Sequence, residues 1–486
     1  MKPVLAAADV AVIEHAWADN QAASDTGSTW PLMLAAGRAI ADRVAATAPR
    51  GPIWILAGKG NNGGDGYVAA WHLRQAGFNV ELIAPLGPSR SGGDADRARQ
   101  QWLVANPERS DLPATDPDVV VDALLGTGQH GRIAEALARV LRTVNSLDTH
   151  RLAVDVPSGL NAQSGRSDPA AFKAHQTLSF IAFKPGLLTG DGPDCVGRLE
   201  LETLELDASH WAEHLQLGID WYLDTAPAWP GRLANAHKGR FGQVSVVAGS
   251  AGMGGAGLLA ARAALAAGAG KVVWHTSSNN AQAALVAQPE LMSAALTEQA
   301  VPVSAIVVLG PGLGRDAEAV QLWDRLTGDG RAGVMDADGL NCLARHPKKL
   351  PGWVLTPHPG EAAALLGITS ANVQADRCEA ARQLSQRYQA VVVLKGAGSL
   401  IAHQGQLWFG HPGTVAMATP GMGDTLAGWI GGLMAQGFSA QAAAVTATWW
   451  HAAMAADLSR EQRIVLATDL LPLIQAARLP SHAPGH

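Results

Sequence analysis

Cysteine is scarce in this sequence: Cys195, Cys342 and Cys378 are the only three among 486 residues. Their odd number, wide separation and lack of C-x-x-C spacing argue against a disulfide framework and against a structural zinc site, and a reducing cytoplasm is the expected compartment. Charge is also sparse, at 16% of residues and a formal net charge of −6. Lys and Arg are scattered rather than run together, so neither a nucleic acid nor an anionic membrane surface is indicated as a partner. Long apolar runs are missing. The most apolar stretch, MGGAGLLAARAALAAGAG, is interrupted by Arg262, and a membrane span needs roughly 18 uninterrupted apolar residues. The opening MKPVLAAADVAVIEHAW carries Asp9 and Glu14 within its apolar run, so no signal peptide is expected there. A Walker A pattern is absent as well, which removes the P-loop manner of holding phosphates.

What is present is apolar and rich in glycine: 48% hydrophobic residues and 54 glycines, the composition of a globular chain with many tight turns. The length suggests two or three domains at roughly 100–200 residues each. Short β-branched runs (PIWILA, FNVELIA, DVVVDALL, RLAVDV, TLSFIAF) alternate with Ala-rich amphipathic stretches, and the second half repeats the style with QVSVVAGS, AIVVLGPG, WVLTPHPG and VVVLKGAG. Strand and helix periods in alternation predict parallel sheets with helices on both faces, hence two three-layer α/β domains. A less periodic segment from about Asp207 to Arg240, with Pro227, Pro230 and Gly231 as breakers, divides them into 1–215 and 225–486.

In the first half the strand PIWILA runs into Gly58-Lys59-Gly60-Asn61-Asn62-Gly63-Gly64-Asp65-Gly66 and then a helix. Glycines let a ligand approach the backbone there, the helix N-terminus offers amides to a phosphate, and the two Asn and the Asp add oxygens that a plain turn has no use for. Two further strands end in Asp122, followed by Gly126-Thr127-Gly128-Gln129-His130-Gly131-Arg132, and in Asp155, followed by Ser158. Parallel strands bring their C-terminal ends to one edge, where Asn62, Asp122, Asp155 and Ser158 converge. One carboxylate (Asp122) with neutral oxygens from Asn62 and Ser158 suits K⁺ better than Mg²⁺, which leaves Asp155 for proton transfer. Each aspartate taken singly serves equally well as a helix cap or turn former.

In the second half, Pro420-Gly421-Met422-Gly423-Asp424-Thr425 precedes an apolar helix. Such a turn makes an anion hole for a transferring phosphoryl group and sets Asp424 beside it as a base for a hydroxyl; the plainer alternative is an Asp helix cap. Lys395-Gly396-Ala397-Gly398-Ser399 follows a strand and offers a cation with flexible amides, or else forms a hairpin turn. Thr356-Pro357-His358-Pro359-Gly360-Glu361 places His358 to meet substrate or to cap a helix with Glu361. Glycine-rich turns at Gly310-Pro311-Gly312-Leu313-Gly314 and Gly249 to Gly257 complete the set.

GKGNNGGDGYV, VDALLGTG and VDVPSGL, followed by HKGRFGQVSVVAGS, GPGLG, DADGLN, TPHPGEAA, VVVLKGAGS and GMGDTLAG, resemble in order and over nearly the whole chain the bifunctional NAD(P)H-hydrate repair enzymes. The resemblance implies a Rossmann-like epimerase domain that interconverts R- and S-NAD(P)HX. It also implies a ribokinase-like domain that dehydrates the S epimer to NAD(P)H at the expense of ADP, giving AMP and phosphate. Carried over to this sequence, Asn61, Asn62, Gly63, Gly64, Asp65, the loop Gly126 to Arg132 and Asp155 would bind the hydrate, and Asn62, Asp122 and Ser158 would hold K⁺. In the second domain Ala256, a glycine of the GPGLG turn (Gly312 or Gly314), His358 and Asp424 would face the hydrate. Lys395, Gly396, Ala397, Gly398, Ser399 and Gly423 would face the nucleotide, with Mg²⁺ expected beside it. Asp155 and Asp424 are the catalytic candidates, and a homo-oligomer is the expected assembly. The chain departs from the family pattern at Gly413-Thr414 and at Pro420, where Asn and Gly are usual, which bears on nucleotide handling. Two other readings stay open at this level: a small-molecule hydroxyl kinase of the ribokinase-like class fused to a dinucleotide-binding scaffold, and a binding module without catalysis.

Overall fold

The structure is a computed structural model that describes all residues except 21–27, 90, 130, 230, 297–300 and 477–486. His130 and Pro230 therefore lie outside the described residues. The chain divides into two compact units, Lys2–Trp221 and Tyr222–His486, with Met1 belonging to the second. Within the breaker-rich segment, Ala208–His214 is a helix whose N-terminus is capped by Asp207, the side chain accepting from the Ser209 and His210 amides.

The first unit is built on β1 (Ile53–Ala57), β2 (Val80–Ile83), β3 (Val119–Ala123), β4 (His150–Val154), β5 (Gln176–Phe180) and β6 (Arg198–Glu202), all parallel, in the spatial order β2-β1-β3-β4-β5-β6. Side chains of β1 alternate between two cores. Ile53, Ile55 and Ala57 pack with helices α1 (Ala7–Asn20), α2 (Trp30–Ala45), α3 (Asn61–Gln75) and α4 (Asp94–Leu103), whereas Trp54 and Leu56 pack with Leu137, Leu141 and Val144 of α5 (Glu135–Ser146). A strand buried on both faces reads as a continuous apolar run, which is why IWILA shows no polar alternation. The chain moves outward from β1 to β2, then returns to β3 on the other side of β1. Loops after β1 and β3 thus diverge and leave a crevice at the C-terminal edge.

The second unit repeats this logic with β7 (Gln243–Val247), β8 (Lys271–Thr276), β9 (Met292–Ala295), β10 (Ile306–Leu309), β11 (Gly333–Met335), β12 (Trp353–Leu355), β13 (Val391–Leu394), β14 (Leu400–His403) and β15 (Gln406–Phe409). These lie in the order β15-β14-β13-β12-β11-β10-β7-β8-β9, parallel except for β14, which pairs antiparallel with β13 and β15. The reversal of direction falls between β7 and β10. Helix α6 (Gly254–Ala266) leaves the β7 edge, α7 (Pro359–Leu366) follows β12, and α8 (Met422–Ala435) crosses the sheet beside α9 (Ala440–Leu458). Helix α8 can lie this close only because it is rich in glycine. A Cβ on Gly428 would overlap the Ala260 carbonyl of α6, and one on Gly431 would reach 2.5 Å from Val308 of β10. No helix among the described residues is long and apolar enough to cross a membrane.

Replacing Gly428 by Ala should force α8 and α6 apart and destabilise the protein by on the order of 1–3 kcal/mol, the usual cost of overpacking. The expected readout is a lower urea midpoint; an unchanged midpoint would show that the helices separate freely.

Candidate active sites

In the first unit the sequence-derived residues gather where the sheet topology puts them. Helix α3 begins directly on Asn61, with Gly60 as its cap and Asn61 to Asp65 in its opening turns. Gly63 and Gly64 are buried in that turn, where a Cβ on Gly63 would overlap the Gly58 carbonyl and one on Gly64 would come within 2.6 Å of Met33. Asn61, Asn62, Asp65, Gly126, Thr127, Gly128, Gln129 and Asp155 line one cavity of about 1080 Å³, to which α1 and α2 also contribute lining residues. Gly131 and Arg132 are exposed and do not line it.

Beneath this cavity Asp122 is fully buried. Its carboxylate accepts from the Ser158 amide (2.7 Å), the Ser158 hydroxyl (2.6 Å) and the Leu124 amide (3.2 Å). Burial raises its pKa to about 6 despite those donors. Asn62 donates from Nδ2 to the Leu125 carbonyl (2.9 Å), which leaves its Oδ1 buried with no hydrogen-bond partner. The Leu125 amide in turn donates to Ser158 Oγ, so Asn62, Asp122 and Ser158 form one local network around the β3 loop.

Asp155 follows β4 with a left-handed backbone (φ 60°), a conformation that costs a non-glycine residue of order 1 kcal/mol and tends to be kept at functional positions. Its Oδ1 accepts from Ser179 Oγ and the Phe180 amide (both 3.1 Å) and from Lys184 Nζ. Lys184 is buried and was not among the sequence candidates. It stands 29 positions downstream, just after β5, and a lone Lys in FKPG gives no spacing signal. Asp65 is held well above the usual carboxylate range, chiefly by burial and next by the neighbouring charges of Asp155 and Glu14.

In the second unit the β7 and β10 turns are laced together. Gly249 donates to the Pro311 carbonyl (2.9 Å) and Ser250 to that of Gly312 (2.7 Å). A Cβ on Gly312 would stand 2.8 Å from Met253 and 3.5 Å from the Ala256 side chain. Ala256 and Gly312 therefore face each other across the switch point, while the Gly314 amide donates to Asp338.

Asp424 lies in the first turn of α8, and the cap is Gly421 at φ 90°. Asp424 is thus not the capping residue, and the first-turn amides of α8 stay free of a side-chain cap. Pro420 precedes the cap, so its missing N–H is not one of those amides. Lys395 donates to Asp336 Oδ1 (2.6 Å) and lies 4.0 Å from Glu361 Oε2. A Cβ on Gly423 would stand 2.9 Å from Lys395 Nζ and 3.2 Å from Asp336 Oδ2, which accounts for a glycine in that position. Burial, then the like charge of Asp336, raises the Asp424 pKa to about 7 against the pull of Lys395. Asp336, at the end of β11, went unrecognised in the sequence although DADGLN follows a strand and so lies on the same edge.

Gly396 to Ser399 link the antiparallel strands β13 and β14, so the turn is a hairpin, yet Lys395 is paired rather than solvated. The Gly396 position lies against the buried Arg377 guanidinium, and Ser399 Oγ donates to the Gly396 carbonyl. His358 caps α7: its Nδ1 accepts from the Gly360 and Glu361 amides, while Glu361 accepts from the His358 amide. Its Nε2 stands 3.5 Å from Glu361 Oε1, and a ligand could meet only that side of the ring. Thr414 Oγ1 accepts from the Ala416 amide and closes a short turn.

Comparison with known proteins adds an independent line. Residues 244–476 match the family model described as NAD(P)H-hydrate dehydratase, and residues 30–186 match that described as YjeF-related protein N-terminus. The bifunctional NAD(P)H-hydrate repair enzyme of Coxiella burnetii is 39% identical over 92% of this chain and 94% of its own length. This chain belongs to the family of bifunctional NAD(P)H-hydrate repair enzymes. The Escherichia coli member is 38% identical over 94% of this chain and 91% of its own. Among solved structures, the chain is similar to the ADP/ATP-dependent NAD(P)H-hydrate dehydratase from Bacillus subtilis co-crystallized with ATP/Mg²⁺: 30% identity, TM-score 0.46, 51% of this chain and 94% of that one. In this repair-enzyme family member the Rossmann-like unit precedes the ribokinase-like unit.

A carboxyl whose folded pKa is raised holds its proton more tightly folded than unfolded, so stability falls as pH rises from the ordinary Asp value of 3.8 to about 7. Asp424→Asn removes this liability. The variant should melt above wild type at pH 8 and lose that advantage at pH 4; equal melting at both pH values would contradict the raised pKa.

Proposed function

We propose that the first unit epimerises R- and S-NAD(P)HX and that the second dehydrates the S epimer to NAD(P)H, consuming ADP and releasing AMP and phosphate. The observation that carries this reading is the pairing of Asp424, poised near neutral pH, with Lys395 and the free amides of α8. A general base works best with a pKa near the working pH. Asp424 takes the proton of the ring hydroxyl as its oxygen attacks the terminal phosphorus of ADP, and AMP leaves. The hydroxyl, a poor leaving group, then departs as phosphate while a proton is lost from the adjacent ring carbon, restoring the double bond. Amides of Met422 and Gly423 and the Lys395 ammonium stabilise charge on the transferring group. Asp336, Glu361 and Asp424 outweigh Lys395 in charge, a surplus that suits Mg²⁺ arriving with the nucleotide's phosphates. Gly396 to Ser399 line the nucleotide side, and Ala256, Gly312 and Gly314 the hydrate side.

In the first unit Asp155 moves the proton in epimerisation, held by Lys184 and the Phe180 amide. K⁺ fits the Asn62, Asp122 and Ser158 group, because the Asn62 Oδ1 is buried without a partner and the buried Asp122 has only neutral donors around it. When bound there it supplies a fixed positive charge under the β1 and β3 loops.

Incubation of mixed NADHX epimers with ADP tests the whole reading by return of the reduced nicotinamide's absorbance. Asp424→Asn should abolish that return while epimer exchange continues, and Asp155→Asn should do the reverse. Net transfer of phosphate from ATP to a stable phosphorylated product would instead indicate a plain kinase. Exchanging K⁺ for choline at constant ionic strength should slow epimerisation in wild type and leave Asn62→Ala, already slow, unchanged; indifference of the wild type would remove K⁺ from the account.

A further inference from the structure

The cavity of the first unit gathers three carboxyls, from Glu14, Asp65 and Asp155, with the buried ammonium of Lys184 among them and the exposed Lys59 at its rim. Lys184 is already committed. It donates to Asp155 Oδ1 and to the Phe180 carbonyl (3.0 Å), and Asp155 Oδ1 accepts from two further donors. These bonds hold the Asp155 carboxyl in one place and orientation.

Glu14 is different in kind. It lies on α1 one turn after the buried Val10 and next to the buried Ile13, near a helix side where a charged residue is costly without a partner. Glu14 comes from α1 and lines the same cavity as Asp155, which follows β4, close enough for the charges of Lys184 and Asp155 to act on its carboxyl. Burial raises its pKa; the Lys184 charge opposes this, and Asp155 pushes it up and His15 down more weakly. No part of the reading above uses it.

Inverting a carbon that bears a hydroxyl by loss and return of that hydroxyl needs an acid for the departing oxygen and a base for the returning water, on opposite faces of the ring. A carboxylate pinned on one wall serves one face. Resting on the epimerase reading, we propose that Glu14 is the second acid–base group of epimerisation, giving a proton to the hydroxyl on one ring face while Asp155 receives one from water on the other. The carbon–oxygen bond breaks as the ring nitrogen's lone pair forms a C=N⁺ bond, and the oxygen leaves as water with Glu14's proton. Water then adds to the opposite face, the C=N⁺ electron pair returns to nitrogen, and the released proton goes to Asp155. One epimer becomes the other, one proton has moved from Glu14 to Asp155, and exchange with solvent resets the pair. The reverse reaction runs with the protonation states interchanged.

The test uses the full chain with Glu14→Gln, Glu14→Asp and Asp65→Asn, following exchange of R- into S-NADHX above the uncatalysed background. Because Lys184, Asp155, Asp65 and His15 all face Glu14, pH profiles are also taken in His15→Gln. Glu14→Gln should lower kcat for exchange by on the order of 10²-fold or more, the usual worth of a general acid. KM should change little, and the fall of rate at high pH that marks loss of the acid should vanish. Glu14→Asp should retain part of the rate and that alkaline limb, which a merely structural role would not require. ADP-dependent dehydration of pure S epimer by the second unit reports that each variant is folded. A wild-type rate and profile in Glu14→Gln overturns the proposal, as does loss of the alkaline limb in Asp65→Asn with its retention in Glu14→Gln. Absence of exchange in the wild type overturns the epimerase reading and this proposal with it.

Discussion

A shortage of buried positive charge governs both sites. Each places one buried lysine against three carboxyls: Lys184 faces Asp155, Asp65 and Glu14, and Lys395 faces Asp336, Glu361 and Asp424. One ammonium cannot neutralise three carboxylates removed from water, so some of them must keep a proton or acquire a cation. In the second unit the lysine is bonded to Asp336, and Asp424 is left with a pKa near 7. In the first it is bonded to Asp155, and Asp65 and Glu14 are the groups driven upward. The same imbalance thus produces a fixed carboxyl and a protonatable neighbour in two unrelated chemical settings.

Sheet topology decides where this imbalance can be useful. Both units reverse strand order next to their first strand, between β1 and β3 and between β7 and β10, and in both the glycine-rich turns fall at that reversal. Glycine has specific work there. Gly63 must pass the Gly58 carbonyl, Gly312 must pass Met253 at φ 57°, and Gly423 leaves space beside Lys395 and Asp336. Helix N-termini at Asn61, Gly254 and Met422 point their free amides toward the same edges, which favours anionic ligands in a chain whose net charge is itself negative.

The motifs that lie within a few residues of a strand end were legible in the sequence. Asn62, Asp122 and Ser158 follow three strands of one parallel sheet, and strand periodicity alone brings them together. Lys395 could be singled out by the same rule, and Asp424 by the glycine-rich turn that opens α8. The residues that went unrecognised are those whose partners come from elsewhere: Lys184 reaches Asp155 from beyond β5, Asp336 reaches Lys395 across β12, and Glu14 comes from a helix that precedes the sheet. Nothing local in FKPG or VIEHAW marks them. In two places the sequence offered alternatives that the fold combines. His358 is a helix cap through Nδ1 and brings Nε2 beside Glu361, and the KGAGS turn is a hairpin whose lysine is nonetheless drawn into the site.

Directly measuring the charge state of Asp424 decides whether a lone lysine among three carboxyls is the organising constraint. Carbon-13 label in the aspartate side-chain carboxyls, with Asp424→Asn to assign the signal, would follow its titration in the ligand-free protein. A midpoint close to 7 is the expected result. A midpoint in the ordinary aspartate range, near 3.9, would mean that Lys395 is shared evenly enough to keep all three carboxylates charged, and would contradict the account.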